Sequence, residues 1–187
     1  VYRDPYAFRH VGFFLRLNFG VGYLGSSAQA SQTLFTFDTS HGVSGDIALA
    51  LGGAVRENLI LAGEFWSGWS YSPDLSSHGA FVPNGGTLAN AIYGVGPQLT
   101  WYIMPANVFV SVTPSLTWVS FSDAFSSFSS NVGFGTRFAL GKEWFVAPHW
   151  GLGVSSWFLF SFNREGSGSN ATWKTFEGGV GISGTIN

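Results

Sequence analysis

From about residue 11 to the end of the chain, bulky apolar residues alternate with small or polar ones at a period of two. That period belongs to strands with two unlike faces, and the helical period is almost absent. Eight stretches carry it, at about 11–24, 43–55, 59–71, 89–103, 108–121, 131–145, 151–163 and 173–186. In the first, Phe13, Leu15, Leu17, Phe19, Val21 and Tyr23 share one face, while Gly12, Phe14, Arg16, Asn18, Gly20 and Gly22 share the other. In the last, Phe176, Val180, Ile182 and Ile186 oppose Thr175, Glu177, Gly179, Gly181 and Ser183.

Each stretch exceeds the roughly 9–11 residues that a tilted strand needs to cross a bilayer. Backbone groups in lipid must all be paired, so strands that span it must close into a barrel. The connections alternate in length: 56–58, 104–107 and 147–150 are short, while 26–42, 72–88, 122–130 and 164–172 are longer and rich in Ser, Gly and Asn. Short periplasmic turns and long outer loops have this asymmetry. The pattern therefore predicts an all-β fold, an eight-stranded antiparallel up-and-down transmembrane β-barrel over residues 10–187. A periplasmic lead at 1–9 precedes it, and an even strand number places both termini in the periplasm of a bacterial outer membrane.

Alternation alone also fits a soluble lipocalin-like barrel with the greasy face inward. Composition decides against that. Only 10% of residues are charged, against roughly 25% in a typical soluble domain, and the polar face is mostly Gly, Ser, Thr and Ala. Aromatics make up 18% of the chain, and so many large rings are expected to need more room than an eight-stranded lumen offers. They are expected in two outward belts at the membrane interfaces: Tyr23, Trp69, Tyr71 and Trp118 toward the outside, and Phe13, Trp101 and Trp144 toward the periplasm. A net charge of −2 lacks the basic stripe of a nucleic-acid binder. With no cysteine, disulfides, thiolate metal sites and a cysteine nucleophile are excluded.

In strand pattern and layout, over nearly its whole length, the chain resembles the small outer-membrane barrel proteins of the OmpA, OmpX and OmpW type. Barrels of that type end in an aromatic residue, whereas Gly184-Thr185-Ile186-Asn187 departs from this. The resemblance implies a lumen filled by a salt-bridged polar network.

The inward-facing charges are Arg16, Asp46, Glu64, Arg137 and Glu177, with Glu143 lower down. Unpaired, each would be costly in a narrow lumen, so they are expected to pair in two tiers, one around Arg16 and one around Arg137. Counting residues from the turns puts Glu64 level with Arg16. The segments starting at Val11 and Val132 share V-G-F-x-x-R-x-x-x-G, which reads as the same inward-face chemistry used twice. Pro97 and Pro114 interrupt the fourth and fifth strands and should face each other across them, marking a bulge or weak point in the wall.

No histidine pair has metal-ligand spacing, and no His lies in a strand core beside Ser and an acid, so neither metal, cofactor nor catalytic set is expected. The Gly-rich segments open no helix, so a phosphate-binding reading fails. The outer loops carry Phe35, Phe37, Phe81, Phe125 and Phe128; exposed rings there suit contact with a partner or with lipopolysaccharide, or packing over the barrel mouth. Three functions follow. The first is a non-enzymatic structural or surface-interaction protein acting through its outer loops. Its partners would be outer-membrane lipid, lipopolysaccharide and a protein at the loops or the periplasmic end. The second is a narrow route for small, including apolar, solutes. The third is a lipid A-modifying enzyme.

Overall fold

Tight turns at Glu57-Asn58 and around Ala106-Asn107 let successive strands fold back on each other, and Asn58 and Asn107 supply the positive φ these turns require (64° and 52°). The structure, a computed structural model, describes residues 8–29, 39–71, 73–77, 80–82, 89–122, 127–165 and 171–187. Eight long strands run through it: β1 (Phe13–Gln29), β2 (Thr39–Arg56), β3 (Leu59–Tyr71), β4 (Ala89–Ile103), β5 (Val108–Ser122), β6 (Gly133–Ala147), β7 (Trp150–Arg164) and β8 (Thr172–Ile186). Each pairs antiparallel with the next, and β1 also pairs with β8, which closes the barrel. β3 and β4 coincide with the predicted spans.

The outer ends of β1 and β2 do not. Loops were expected from residue 26 and up to 42, yet β1 continues to Gln29 and β2 begins at Thr39. Short strands at Asp74–Ser77, Ala80–Val82 and Ser127–Ser129 extend the sheet further. Small polar residues mimic loop composition here, but above the bilayer a strand meets water on its outer face and has no need of apolar alternation.

The register fixes the barrel's shear. Hydrogen-bonded partners can be followed around the wall from Leu17 through Leu49, Phe65, Val95, Leu116, Phe134, Phe162 and Lys174 back to β1 at Ser27, ten residues farther along the same strand. Each step from β1 toward β2 and β3 therefore climbs toward the outer end. At about 4.8 Å between strands and a tilt near 40°, the climb is about 3 Å per strand.

The wall's two faces are cleanly sorted. Val43 (74% exposed), Val21 (63%), Ile182 (65%) and Leu140 (52%) point out, whereas Asn90, Thr100, Thr117 and Glu177 are fully buried inside. A surface this apolar belongs against acyl chains. Phe13, Tyr23, Tyr71, Trp101 and Trp144 are exposed on that outer face, with Trp69 and Trp118 partly covered. Trp118 stacks on Tyr93 with ring centroids 5.6 Å apart. Phe13 and Tyr23 stand ten residues apart on β1, about 25 Å of height at the 3.3 Å rise and 40° tilt of such a strand, which matches the apolar band of an outer-membrane barrel.

Candidate functional site

The lumen is built in layers. At the turn end, Phe14, Ile60, Tyr102 and Phe109 form an apolar cluster with Ala50 and Ala62. Toward the outer end, Leu24, Trp66, Leu75, Ile92, Val119, Phe121, Leu159 and Trp173 form a second. The ionisable residues lie between and around these clusters.

Arg137 holds the central position. Its guanidinium grips Asp46 with two hydrogen bonds, Nη1 to Oδ2 at 2.7 Å and Nη2 to Oδ1 at 2.6 Å, and both residues are buried. Such bidentate geometry is the strongest form of this pair. Glu177 lies at the same end and accepts from Ser44 Oγ at 2.7 Å. Glu143 lies below, accepting from the Tyr102 hydroxyl (3.1 Å) and from Thr185 Oγ1 (2.7 Å).

The second expected tier does not form. Arg16 is buried to 1% exposure but meets no carboxylate among the described residues. It donates through Nη2 to Gln98 Oε1 at 3.0 Å, with longer contacts to Thr100 and Ser111. Its Nε and Nη1 have no partner. Glu64 instead accepts from Thr113 Oγ1. Strand tilt explains the correction: Glu64 is register-matched to Arg16 through Ala50, but it sits two strands round the wall and therefore about 6 Å higher.

Inward aromatics correct a second expectation. Trp66, Trp157, Trp173, Tyr102, Phe109 and Phe121 all occupy the lumen. Three of them, Trp66, Trp157 and Phe109, fit because glycines on other strands leave notches. A Cβ on Gly94 would lie 2.2 Å from the Trp66 indole, one on Gly20 2.2 Å from Trp157, and one on Gly141 2.5 Å from Phe109.

The repeated V-G-F-x-x-R-x-x-x-G segments acquire a reason here. Arg16 of the first lies 4.3 Å from the centre of the Phe109 ring, and that ring nests on Gly141 of the second. Arg137 of the second lies 5.1 Å from Trp157, which nests on Gly20 of the first. Each arginine is thus paired, through an aromatic ring, with the other segment's closing glycine.

The turn end is sealed by a residue that sequence reasoning passed over. His10 is fully buried and stacks on Tyr102 with ring centroids 3.5 Å apart. Its Nδ1 lies 2.9 Å from Asn187 Oδ1 and its Nε2 lies 2.7 Å from Asn107 Oδ1. Backbone bonds anchor the same segment: Asn58 N–H donates to the His10 carbonyl, Ala54 N–H to Gly12, and Phe8 N–H to Pro148. Residues 8–12 therefore cross the mouth of the barrel. The rest of the N-terminal lead, residues 1–7, lies outside the described residues.

Pro97 and Pro114 do stand opposite each other. The β4–β5 ladder runs to Val95↔Leu116, stops, and resumes at Leu99↔Val112. The chains stay in close contact across the gap, since a Cβ on Gly96 would come within 1.9 Å of the Pro114 carbonyl.

Phe35, Phe37 and Phe125 lie outside the described residues, as do the side chains of Phe81 and Phe128. Among the described residues, no group of three or more histidines or carboxylates is placed to hold a metal ion.

The sequence matches no protein-family model and no curated protein. Solved structures do resemble it. Neisserial surface protein A aligns with a TM-score of 0.56 and 15% identity over 94% of this chain and 96% of its own. Outer membrane protein AlkL, solved in lipid bilayers, aligns with a TM-score of 0.53 and 15% identity over 100% and 96%. Outer membrane protein OprG from Pseudomonas aeruginosa gives 0.50 and 11% identity over 95% and 98%. The chain has the fold of these small outer-membrane β-barrels.

Proposed function

We propose that the protein is an integral barrel of a bacterial outer membrane with a sealed lumen, acting as a structural and surface-interaction protein through its outer segments. The turn end with both termini faces the periplasm in this reading. The observation that carries it is the burial of the lumen's own walls. A path wide enough for water would leave its lining accessible, yet Phe14, Ile60, Tyr102 and Phe109 at one end, and Trp66, Ile92, Phe121 and Trp173 toward the other, are 0–1% exposed. The layers between are closed by the Arg137–Asp46 pair and the Arg16 hydrogen bonds.

With the interior filled, what remains for recognition is the rim. There the sheet rises above the aromatic belt and ends in segments rich in Ser, Gly and Phe. Lipopolysaccharide and a protein partner are the ligand classes this rim suits. The reading is non-enzymatic, and lipid A from cells with and without the protein should give identical mass spectra. Planar-bilayer recording tests the sealed lumen directly. Pure protein should give no single-channel steps. Regular steps from the unmodified protein would overturn the proposal.

A second reading, a narrow route for small apolar solutes, is favoured by one observation, the interrupted β4–β5 ladder at Pro97 and Pro114. Solute uptake into protein-containing vesicles, compared with empty ones, separates it from the first.

A further inference from the structure

The lipid-facing wall of β6, β7 and β8 is not smooth. One trough of about 570 Å³ runs over it, lined by Leu140, Lys142, Val154, Ser156, Val180 and Ile182. A second, of about 380 Å³, adjoins it and is lined by Val110, Phe138, Leu140, Ser156 and Phe158. Leu140 and Ser156 line both, so the two troughs meet around Ser156.

The troughs exist because small residues stand where the rest of this face carries large ones. Ser156 is an outward position between Val154 and Phe158 on β7.

Lys142 sits at the turn-side end of the larger trough. Its amine donates to the Ala106 carbonyl in the β4–β5 turn and lies 5.5 Å from the ring of Trp144, a member of the turn-side aromatic belt. That belt marks the headgroup level. An ammonium group has three donors and no acceptor, so two N–H groups remain after the bond to Ala106. No carboxylate neutralises Lys142 among the described residues.

We propose that this surface is a binding site for one anionic phospholipid, its phosphate on Lys142 and its acyl chains in the joined troughs. A charge at the headgroup level calls for an anion. Apolar troughs beside that charge call for acyl chains, and together these define an anionic phospholipid, for which phosphatidylglycerol is the probe. The site is independent of the orientation adopted above, because it needs only a leaflet that contains such a lipid.

Native mass spectrometry of the full chain released from nanodiscs of equal phosphatidylglycerol and phosphatidylethanolamine tests it. The unmodified protein should retain one phosphatidylglycerol in preference to phosphatidylethanolamine by about five-fold, the factor corresponding to the ~1 kcal/mol of one near-surface lysine. Lys142→Gln should bring that ratio close to one while lipid is still retained. Ser156→Phe, which fills the hollow where both troughs meet, should abolish retention. Heat-modifiable mobility on gels confirms that each variant is folded. Photo-crosslinking of the unmodified protein with a diazirine-bearing phosphatidylglycerol gives a measurement free of variants, and label should concentrate on Leu140, Ser156 and Val180. A ratio of one for the unmodified protein, an unchanged ratio in Lys142→Gln, label spread evenly around the barrel, or a lipid-free dimer with the troughs covered would each overturn the proposal.

Discussion

Replacing Asp46 with Ala removes the carboxylate that grips Arg137 through two bonds of 2.6 and 2.7 Å. Arg137 is 3% exposed and cannot reach water without moving past the Trp66 and Trp157 rings beside it. Breaking a buried pair from one side leaves an uncompensated charge and costs about 3–5 kcal/mol. Removing both partners together, as in Asp46→Ala/Arg137→Met, should restore most of that loss, since hydrophobic replacements of buried pairs are often neutral or better. Arg16 supplies the internal control. It is equally buried but holds no carboxylate among the described residues, where two of its nitrogens lack hydrogen-bond partners. Arg16→Met exchanges the bond to Gln98 for relief from a desolvated charge, so its net effect should stay within about 1–2 kcal/mol of zero. Urea unfolding in phospholipid vesicles, followed by tryptophan fluorescence and gel mobility, reads all three variants. If Asp46→Ala were silent, the pair would be water-exposed and the lumen open. If Arg16→Met cost as much as Asp46→Ala, the distinction drawn between the two arginines would be wrong.

Other outcomes follow from the same contacts. Gly94→Ala drives a methyl group into the Trp66 indole, which Ser115 holds through Nε1 at 3.1 Å, and should destabilise the barrel by about 1–3 kcal/mol in urea titration. His10→Ala removes two buried hydrogen bonds and the ring stacked on Tyr102. It should cost about 1–3 kcal/mol and speed hydrogen exchange at Asn58 and Asn187, whose amides belong to the cap. Pro114→Val restores a donor to the interrupted β4–β5 ladder and should raise the urea midpoint, by about 0.5–1.5 kcal/mol if the new bond forms.

Much of the fold was legible because a membrane-spanning strand has a simple rule, apolar out and small or polar in, and the spans of β3 and β4 were readable to the residue, although Ile60, Trp66, Ile92 and Tyr102 face inward against it. The rule lapses above the bilayer, which is why Ser26, Ser27, Thr39 and Ser40 looked like loop and are paired strand. The inward charges were also legible, since Arg16, Asp46, Glu64, Arg137, Glu143 and Glu177 all fall on the alternating polar phase. Their partners were not. Partnership across a lumen depends on height, and height depends on the shear, which no single strand encodes; Glu64 was set beside Arg16 for this reason. The turn-end cap was illegible for a related cause. His10 meets Asn107 and Asn187, 97 and 177 residues away, and nothing near His10 in the sequence announces them. The packing of Trp66, Trp157 and Phe109 needed the same cross-strand information, because the glycine that admits each of these rings lies on a different strand.

The absence of native cysteine makes a nitroxide scan along β5 the sharpest test of which face meets lipid. Single labels at Val108, Val110, Val112 and Leu116 should show high accessibility to oxygen, which partitions into acyl chains, and those at Ser111, Thr113, Ser115 and Thr117 should be shielded from both oxygen and a water-soluble nickel chelate. Oxygen maxima at the second set, or ready access of the chelate to it, would contradict a sealed lumen inside a lipid-facing wall.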